Sequence, residues 1–276
     1  MKIAVCQTNS GIDPGENAAT LVSMVEASAK AGAAMLFTPE MSGLLDRDRA
    51  RAASNIVRET DDKVLKALQK AASAHSIWIA LGSLALAGER EDGRLVNRSF
   101  VIDNSGTVRA RYDKLHLFDV DLTTGESWRE SARYAPGDAA VVVDTPIATL
   151  GLSVCYDLRF PALYSALSEA GAQLLTVPAA FTVPTGAAHW HILLRARAIE
   201  NGAYVVAAAQ SGLHQDGRST FGHSLVVDPW GKVILDMGEG QGVGFAEFDL
   251  EVVQKVRVQI PVLEHRRTIP HVTHIL

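Results

Sequence analysis

Four stretches of this chain occur twice, in the same order. "IAVC" (3–6) returns as "LSVC" (152–155), and "AGAAMLFTP" (31–39) as "AGAQLLTVP" (170–178). "IWIALGS" (77–83) and "AYVVAAAQS" (203–211) each follow a helix-like run, and "NRSFVIDNSGTV" (97–108) returns as "GHSLVVDPWGKV" (222–233). The last pair sets Ser99, Asp103, Gly106 and Val108 against Ser224, Asp228, Gly231 and Val233. Any one match could arise by chance, but four in one order restrict the fold. A chain that repeats an order of elements builds two similar halves, here packed about a pseudo-twofold axis. The crevice where strand ends of the two halves meet is a natural place for a site.

Between the echoes, strands alternate with helices, the α/β pattern. "KIAVCQT" reads as a strand and "ENAATLVSMVEASAKAG" as a helix with Leu21, Val22, Val25 and Ala29 on one face and Gly32 as its stop. "AAMLFTPE" reads as a buried strand. "DDKVLKALQKAASAH" reads as a helix that buries Val64, Leu65, Leu68 and Ala72. "RSFVIDNSGTVRARY" reads as a hairpin turning at Asn104–Gly106, and "PALYSALSEAG" as a short helix closed by Gly171. "GEGQGVG" (238–244) follows a hairpin and opens no helix, so it reads as a turn and not as a dinucleotide fingerprint.

Composition excludes several classes. A net charge of −5 leaves no basic footprint for nucleic acid or an anionic membrane. Two cysteines make no disulfide framework and suggest a reducing compartment. The N-terminal apolar run is too short for a signal peptide or an anchor. A single domain over 1–276, cytoplasmic and without nucleic-acid or membrane partners, is the expectation.

Cys155 falls near a strand-to-helix junction, where a helix N-terminus would lower a thiol pKa and make it a nucleophile; a small buried hydrophobe is the plain alternative. Cys6 occupies the echoed strand end with "QTNSG" after it and reads as core. Glu40 directly follows "MLFTP", a placement that suits a general base; a loop glutamate is the alternative. Lys114 in "RYDKLHLF" could hold an oxyanion, although most lysines are simply solvated. In the loop "TTGESWRESARYAPGD", Glu126 and Glu130 are equal candidates. Nine histidines raise the question of a metal. "HWH" (189–191) is an i,i+2 pair that cannot share a helix face, no zinc spacing occurs, and His265, His271 and His274 read as tail residues, so no metal site is expected.

Together, "FTPEM", "RYDKLHLF", "SVCYDLRFPALY" and "GHSLVVDPWG" resemble the nitrilase superfamily of carbon–nitrogen hydrolases over nearly the whole chain. The resemblance implies a four-layer α-β-β-α sandwich, assembly as a homodimer or larger homo-oligomer, no cofactor, and a Glu–Lys–Cys triad at Glu40, Lys114 and Cys155. The family's second glutamate falls seven residues before the glycine of a "PGD"-like stretch, which selects Glu130 over Glu126. "CYDLRFPALY" and "TGAAHWHILLRARAIENGAYVVAAAQ" are most similar to the branch of the deaminated glutathione amidases and omega-amidases. Cys155-Tyr156-Asp157 stands where nitrile-hydrolysing members have Cys-Trp-Glu, which argues against a nitrile. The implied reaction is hydrolysis of a small-molecule 2-oxo acid amide through a thioester, with deaminated glutathione ahead of α-ketoglutaramate; acyl transfer to an amine and a non-catalytic scaffold are the other readings. Tyr156, Arg159, Phe181 and Thr182 are the substrate candidates. Arg159 stands either for a substrate carboxylate or for a structural ion pair with Asp157 or a helix acid. The small residues Ala179, Ala180, Gly186, Ala187 and Ala188 leave room for a large leaving group, in a lid hinged at Gly186 or as simple packing at a helix start.

Overall fold

The structure, a computed structural model, describes residues 1–88, 91–121, 125 and 127–275. The first half runs β1 (Lys2–Thr8), α1 (Pro14–Lys30), β2 (Met35–Phe37), α2 (Arg49–Ala53), α3 (Lys63–His75), β3 (Trp78–Ala87), β4 (Leu95–Ile102) and β5 (Val108–Asp113). A small hairpin, β6 (Asp119–Asp121) and β7 (Ser127–Arg129), leads to the second half. That half runs β8 (Val142–Asp144), β9 (Thr149–Leu152), α4 (Pro161–Glu169), β10 (Leu174–Thr176), α5 (Val183–Asn201), β11 (Tyr204–Ala207), β12 (Ala209–Leu213), β13 (Ser219–Phe221), β14 (Leu225–Val227) and β15 (Val233–Asp236). The chain closes with β16 (Gly242–Glu247), α6 (Leu250–Gln259) and α7 (Val262–His265).

The two sheets have matching orders. One runs β5-β4-β3-β2-β1, and the other β15-β14-β11-β10-β9. An antiparallel strand flanks each innermost member, β16 on β1 and β8 on β9. The sheets face each other, with α1 and α3 outside the first and α4 and α5 outside the second, which makes the four-layer α-β-β-α sandwich. Alternation along β1 sorts its side chains: Ile3 and Val5 enter the core between the sheets, whereas Ala4 and Cys6 face α1 and α3. Helix α1 begins at Pro14, earlier than the apolar pattern suggests, because Asp13 caps the Gly15 and Glu16 amides.

The duplication holds at atomic detail in the hairpins. The Asp103 amide donates to the Thr107 carbonyl and the Asp228 amide to the Lys232 carbonyl, both at 2.9 Å. Each aspartate also caps its own turn, Oδ1 accepting from Ser105 and Thr107 in one and from Trp230 and Lys232 in the other. Gly106 and Gly231 share a φ of 85°, and a bulge follows Val101 in one copy and Val226 in the other. Only glycine adopts that φ without cost.

Three sequence expectations change. Ladder pairing sets Ile3 against Met35 but Leu150 against Leu174, so Val5, and not Ile3, is the counterpart of Leu152. The structural equivalent of Cys155 is therefore Thr8, and Cys6 does not sit at the echoed strand end. Matching "IAVC" to "LSVC" slid the copies by two residues, and a two-residue slip leaves the in/out alternation unchanged. The echo of "IWIALGS" in "AYVVAAAQS" holds only for its first part: β3 continues in one sheet, whereas β11 lies in the second sheet and β12 crosses to pair with β1. Likewise "GEGQGVG" is a turn only in its first part, since Gly242 to Gly244 already pair with Gln7 to Val5 as the start of β16.

The segment read as a lid (178–190) runs from the loop after β10, where Ala179 bridges to Ala209, into the first two turns of α5, and Gly186 is buried within that helix. A Cβ there would lie 2.3 Å from the Phe221 ring, so the glycine admits a side chain and is not a hinge. Gly186→Ala is expected to cost about 1–3 kcal/mol by overpacking, read as a lower midpoint in urea denaturation; an unchanged midpoint would contradict this packing. Among the described residues, no helix is long and apolar enough to cross a membrane.

Candidate active site

Four loops carry the site, each leaving the end of a strand. Glu40 follows β2. Its approach is set by Gly82 of β3, where a Cβ would lie 2.1 Å from the Thr38 carbonyl oxygen. Lys114 immediately follows β5, and its backbone is pinned by Lys114 N to Asn97 O (3.0 Å) and Gly137 N to Lys114 O (2.9 Å). Glu130 follows β7 and opens a single 3₁₀ turn. Cys155 lies three residues past β9 and opens another, Cys155–Arg159.

The backbone at Cys155 has φ 50°, a left-handed conformation that a side-chain-bearing residue rarely adopts. Neighbouring contacts hold it there. The Cys155 amide donates to the Pro178 carbonyl at 2.9 Å. Asp157, fully buried, accepts from the Val154 amide (2.8 Å), the Tyr112 hydroxyl (2.7 Å) and the His116 amide (3.0 Å), and His116 Nδ1 lies 2.7 Å from it. His116 stacks on Phe160 with ring centroids 3.6 Å apart. The sharp turn is thus built around one carboxylate.

At the centre, Lys114 Nζ lies 3.0 Å from Glu40 Oε1 and 2.9 Å from Glu130 Oε2. Asn97 Nδ2 donates to Glu40 Oε1 at 2.9 Å and to Glu130 Oε1 at 3.4 Å. The Ala180 amide donates to Glu40 Oε2 at 2.9 Å, and the Phe118 amide to Glu130 Oε2 at 2.7 Å. Gln210, carried over by the crossing of β12, holds the Glu40 carbonyl at 2.9 Å. Burial alone would strip the lysine of its proton, but Glu130 and Glu40 outweigh it and raise its pKa well above the ordinary value. The Cys155 thiol is raised, first by burial and next by the Glu40 carboxylate, against the opposing pull of Lys114. The sequence expectation of a thiol lowered by a helix N-terminus is therefore overturned. Helix α4 starts only at Pro161, and one 3₁₀ turn stands between it and the cysteine.

Glu40, Lys114, Glu130 and Cys155 all line one cavity of about 310 Å³, as do Tyr156, Phe181 and Thr182. Arg159 is not among its lining residues. Its guanidinium lies over the rings of Phe181 (5.5 Å) and Tyr156 (5.9 Å) and 3.3 Å from His189 Nδ1. No Arg159–Asp157 ion pair forms among the described residues, because Asp157 is occupied by the turn. Glu126 lies outside the described residues. Sequence reasoning missed Asn97, although a signal was present: in the echoed stretch Asn97 stands opposite Gly222, and a polar residue in only one copy marks a divergence. It also missed the cavity residues Arg47, Trp128, Arg133, Tyr134 and Arg218, which come from loops without pattern.

His191 and His189 do diverge from one helix, as the i,i+2 spacing requires, yet His191 meets residues far along the chain. His191 Nε2 and His223 Nδ1 each lie 2.9 Å from Asp236, and the three ligand atoms fall within 4.8 Å of one another. Such a set could hold a metal ion, and the expectation of no metal-ligating group came from chain spacing, which does not see it. It stands apart from the cavity, whose lining includes none of the three.

The profile of carbon-nitrogen hydrolases matches residues 2–258. The chain belongs to the carbon-nitrogen hydrolase family. Deaminated glutathione amidase of Homo sapiens is 40% identical over 268 residues, which is 96% of this chain and 82% of that protein. The nitrilase and fragile histidine triad fusion protein NitFhit of Caenorhabditis elegans is 41% identical over 274 residues, and this hydrolase spans only 62% of its length. The NitFhit crystal structure superimposes with a TM-score of 0.89 over 96% of this chain and 65% of that one. A glutamate-to-glutamine mutant of an amidase of the nitrilase superfamily from Nesterenkonia sp. AN1, 28% identical, superimposes with a TM-score of 0.78 over 95% of this chain and 98% of its own, and shows the Michael addition of acrylamide at its active-site cysteine.

Proposed function

We propose that this hydrolase cleaves the amide of a 2-oxo acid amide through a thioester on Cys155, with deaminated glutathione as substrate and 2-oxoglutarate and Cys-Gly as products. The observation that carries the reading is the buried ammonium of Lys114, held between Glu40 and Glu130 in the cavity that also contains Cys155. The thiol is protonated at rest, so Glu40 takes its proton as the sulfur attacks the amide carbon. Lys114 and the backbone N–H of Tyr156 hold the oxyanion. Glu40 returns the proton to the departing amine, and the C–N bond breaks to leave the thioester. Glu40 then takes a proton from water, which attacks the thioester; the acid departs, and the proton returns to Cys155. Glu130 keeps Lys114 charged and in place, and Tyr156, Phe181 and Thr182 shape the acyl end.

The identity to deaminated glutathione amidases supports the substrate. The kcat/KM for deaminated glutathione is expected to exceed that for α-ketoglutaramate by about tenfold or more, since the larger substrate offers binding that can be realised in the transition state. A preference for α-ketoglutaramate would make this an omega-amidase instead. Transfer of the acyl group to an amine in place of water would make it an acyltransferase, and turnover of neither amide would leave a scaffold. With this reading go a single domain, a cytoplasmic location, supported by two cysteines that remain free thiols, and assembly as a homodimer or larger homo-oligomer, supported by Ile192 and Ile199 exposed on α5.

A further inference from the structure

The mouth of the cavity is ringed by arginines. Arg47 and Arg49 come from the segment after Glu40, Arg133 from the loop after β7, and Arg218 from the turn before β13; all four line the cavity. Asp216 joins two of these segments. Its Oδ2 accepts from Arg218 Nε at 2.7 Å and from the Arg47 amide at 2.9 Å, and its side chain is fully buried. Arg47 and Arg218 are thereby set on the indole of Trp128, with guanidinium carbons 5.9 and 5.3 Å from the ring centroid. The Trp128 Nε1 donor is buried and has no partner among the described residues.

The charges here are unbalanced. Arg218 has Asp216, but Arg47, Arg49 and Arg133 have no carboxylate partner among the described residues, while Glu40 and Glu130 are taken by Lys114 and Asp46 by Arg51. Three unpaired guanidinium groups lining one opening form a recognition surface for an anion, and a carboxylate suits the guanidinium fork. Which carboxylate it takes follows from the order of the reaction. The acyl group is held on Cys155 from the first step until water releases it in the second, and belongs at the enclosed end. The leaving group departs after the first step and belongs at the mouth.

We propose that this arginine rim is a second substrate subsite, which binds the terminal carboxylate of a peptide-like leaving group. The inference rests on the amidase reading and adds what selects the leaving group: a rim of this kind favours a dipeptide acid over ammonia. It also gives Arg47 and Arg133 a role that Arg159, outside the cavity, does not fill.

The test compares deaminated glutathione with its C-terminal carboxamide, which lacks only that carboxylate, on the parent enzyme and on the double variant Arg47→Ala/Arg133→Gln. The parent is expected to favour the acid by about ten- to a hundredfold in kcat/KM, the ratio that charge-assisted hydrogen bonds of ordinary strength supply. In the variant the ratio should fall to within about threefold of unity, mainly through KM. The loss for the acid should exceed the loss for α-ketoglutaramate at least tenfold. Equal handling of acid and carboxamide by the parent would overturn the subsite, and so would equal loss on both 2-oxo amides, which would assign the rim to the acyl carboxylate. A calorimetric titration of Cys155→Ala with Cys-Gly and with cysteinyl-glycinamide reads the rim without turnover. Discrimination there, together with a parent enzyme that turns over neither amide, would uphold the subsite and reject the reaction; no discrimination, with a parent that turns over deaminated glutathione, would reject the subsite alone.

Discussion

Cys155→Ser is expected to lower turnover at least about a thousandfold, while Cys6→Ser leaves the rate near that of the parent. The two thiols differ in reach and surroundings. Cys155 is 8% exposed, lines the cavity and faces Glu40, whereas Cys6 is 0% exposed in the core under α1 and α3. Burial raises both, but only Cys155 has a carboxylate beside it to take the proton and an ammonium to hold the oxyanion. A serine hydroxyl at position 155 would meet the same base with a far higher pKa and a poorer nucleophile. Intact-mass analysis after iodoacetamide should find one label, at Cys155, together with loss of activity. First labelling at Cys6, or activity surviving in Cys155→Ser, would overturn the assignment.

Lys114→Met is expected to remove both activity and stability. Loss of an oxyanion donor costs about 10²–10³ in rate. Loss of the cation also leaves Glu40 and Glu130 buried side by side, held together only by Asn97 and two backbone amides. Breaking a buried pair from one side costs about 3–5 kcal/mol, or roughly 6–20 °C in Tm for a chain of this size. The sign with pH follows from the raised lysine pKa. The folded state holds that proton more tightly than the unfolded chain, so its contribution is complete below about pH 10 and is lost only as pH rises through the folded value. Melting at pH 8 therefore reads the full effect. Adding Glu130→Gln to Lys114→Met should restore part of the Tm and none of the rate. A single variant that melts like the parent would mean that the lysine does not hold the carboxylates together.

Much of this was legible in the chain. The repeated order of elements determined two like halves, and the Asp-x-x-Gly turns fixed both hairpins, because turn chemistry and alternation act over a few residues. The motif context marked Glu40, Lys114 and Cys155, and singled out Glu130, whose carboxylate is found on the lysine. Other features were decided only in three dimensions. The register between the halves was invisible because β alternation repeats every two residues, so a slip of two costs nothing in pattern. The direction of the Cys155 shift depended on burial and on Glu40, which is brought from a different sheet; the helix it was expected to cap begins six residues later. Lys114 and Glu40 are 74 residues apart and Ala180 and Glu40 are 140 apart, so no local rule states that they touch. The same holds for Arg47 and Arg218, joined through Asp216, and for Arg159, which its place after the nucleophile left between a substrate carboxylate and a structural ion pair and which packs on Phe181 and Tyr156 outside the cavity lining. Sequence determines the local elements because their causes lie within a few residues; the site is decided by the packing of two sheets, which brings together loops that share no local signal.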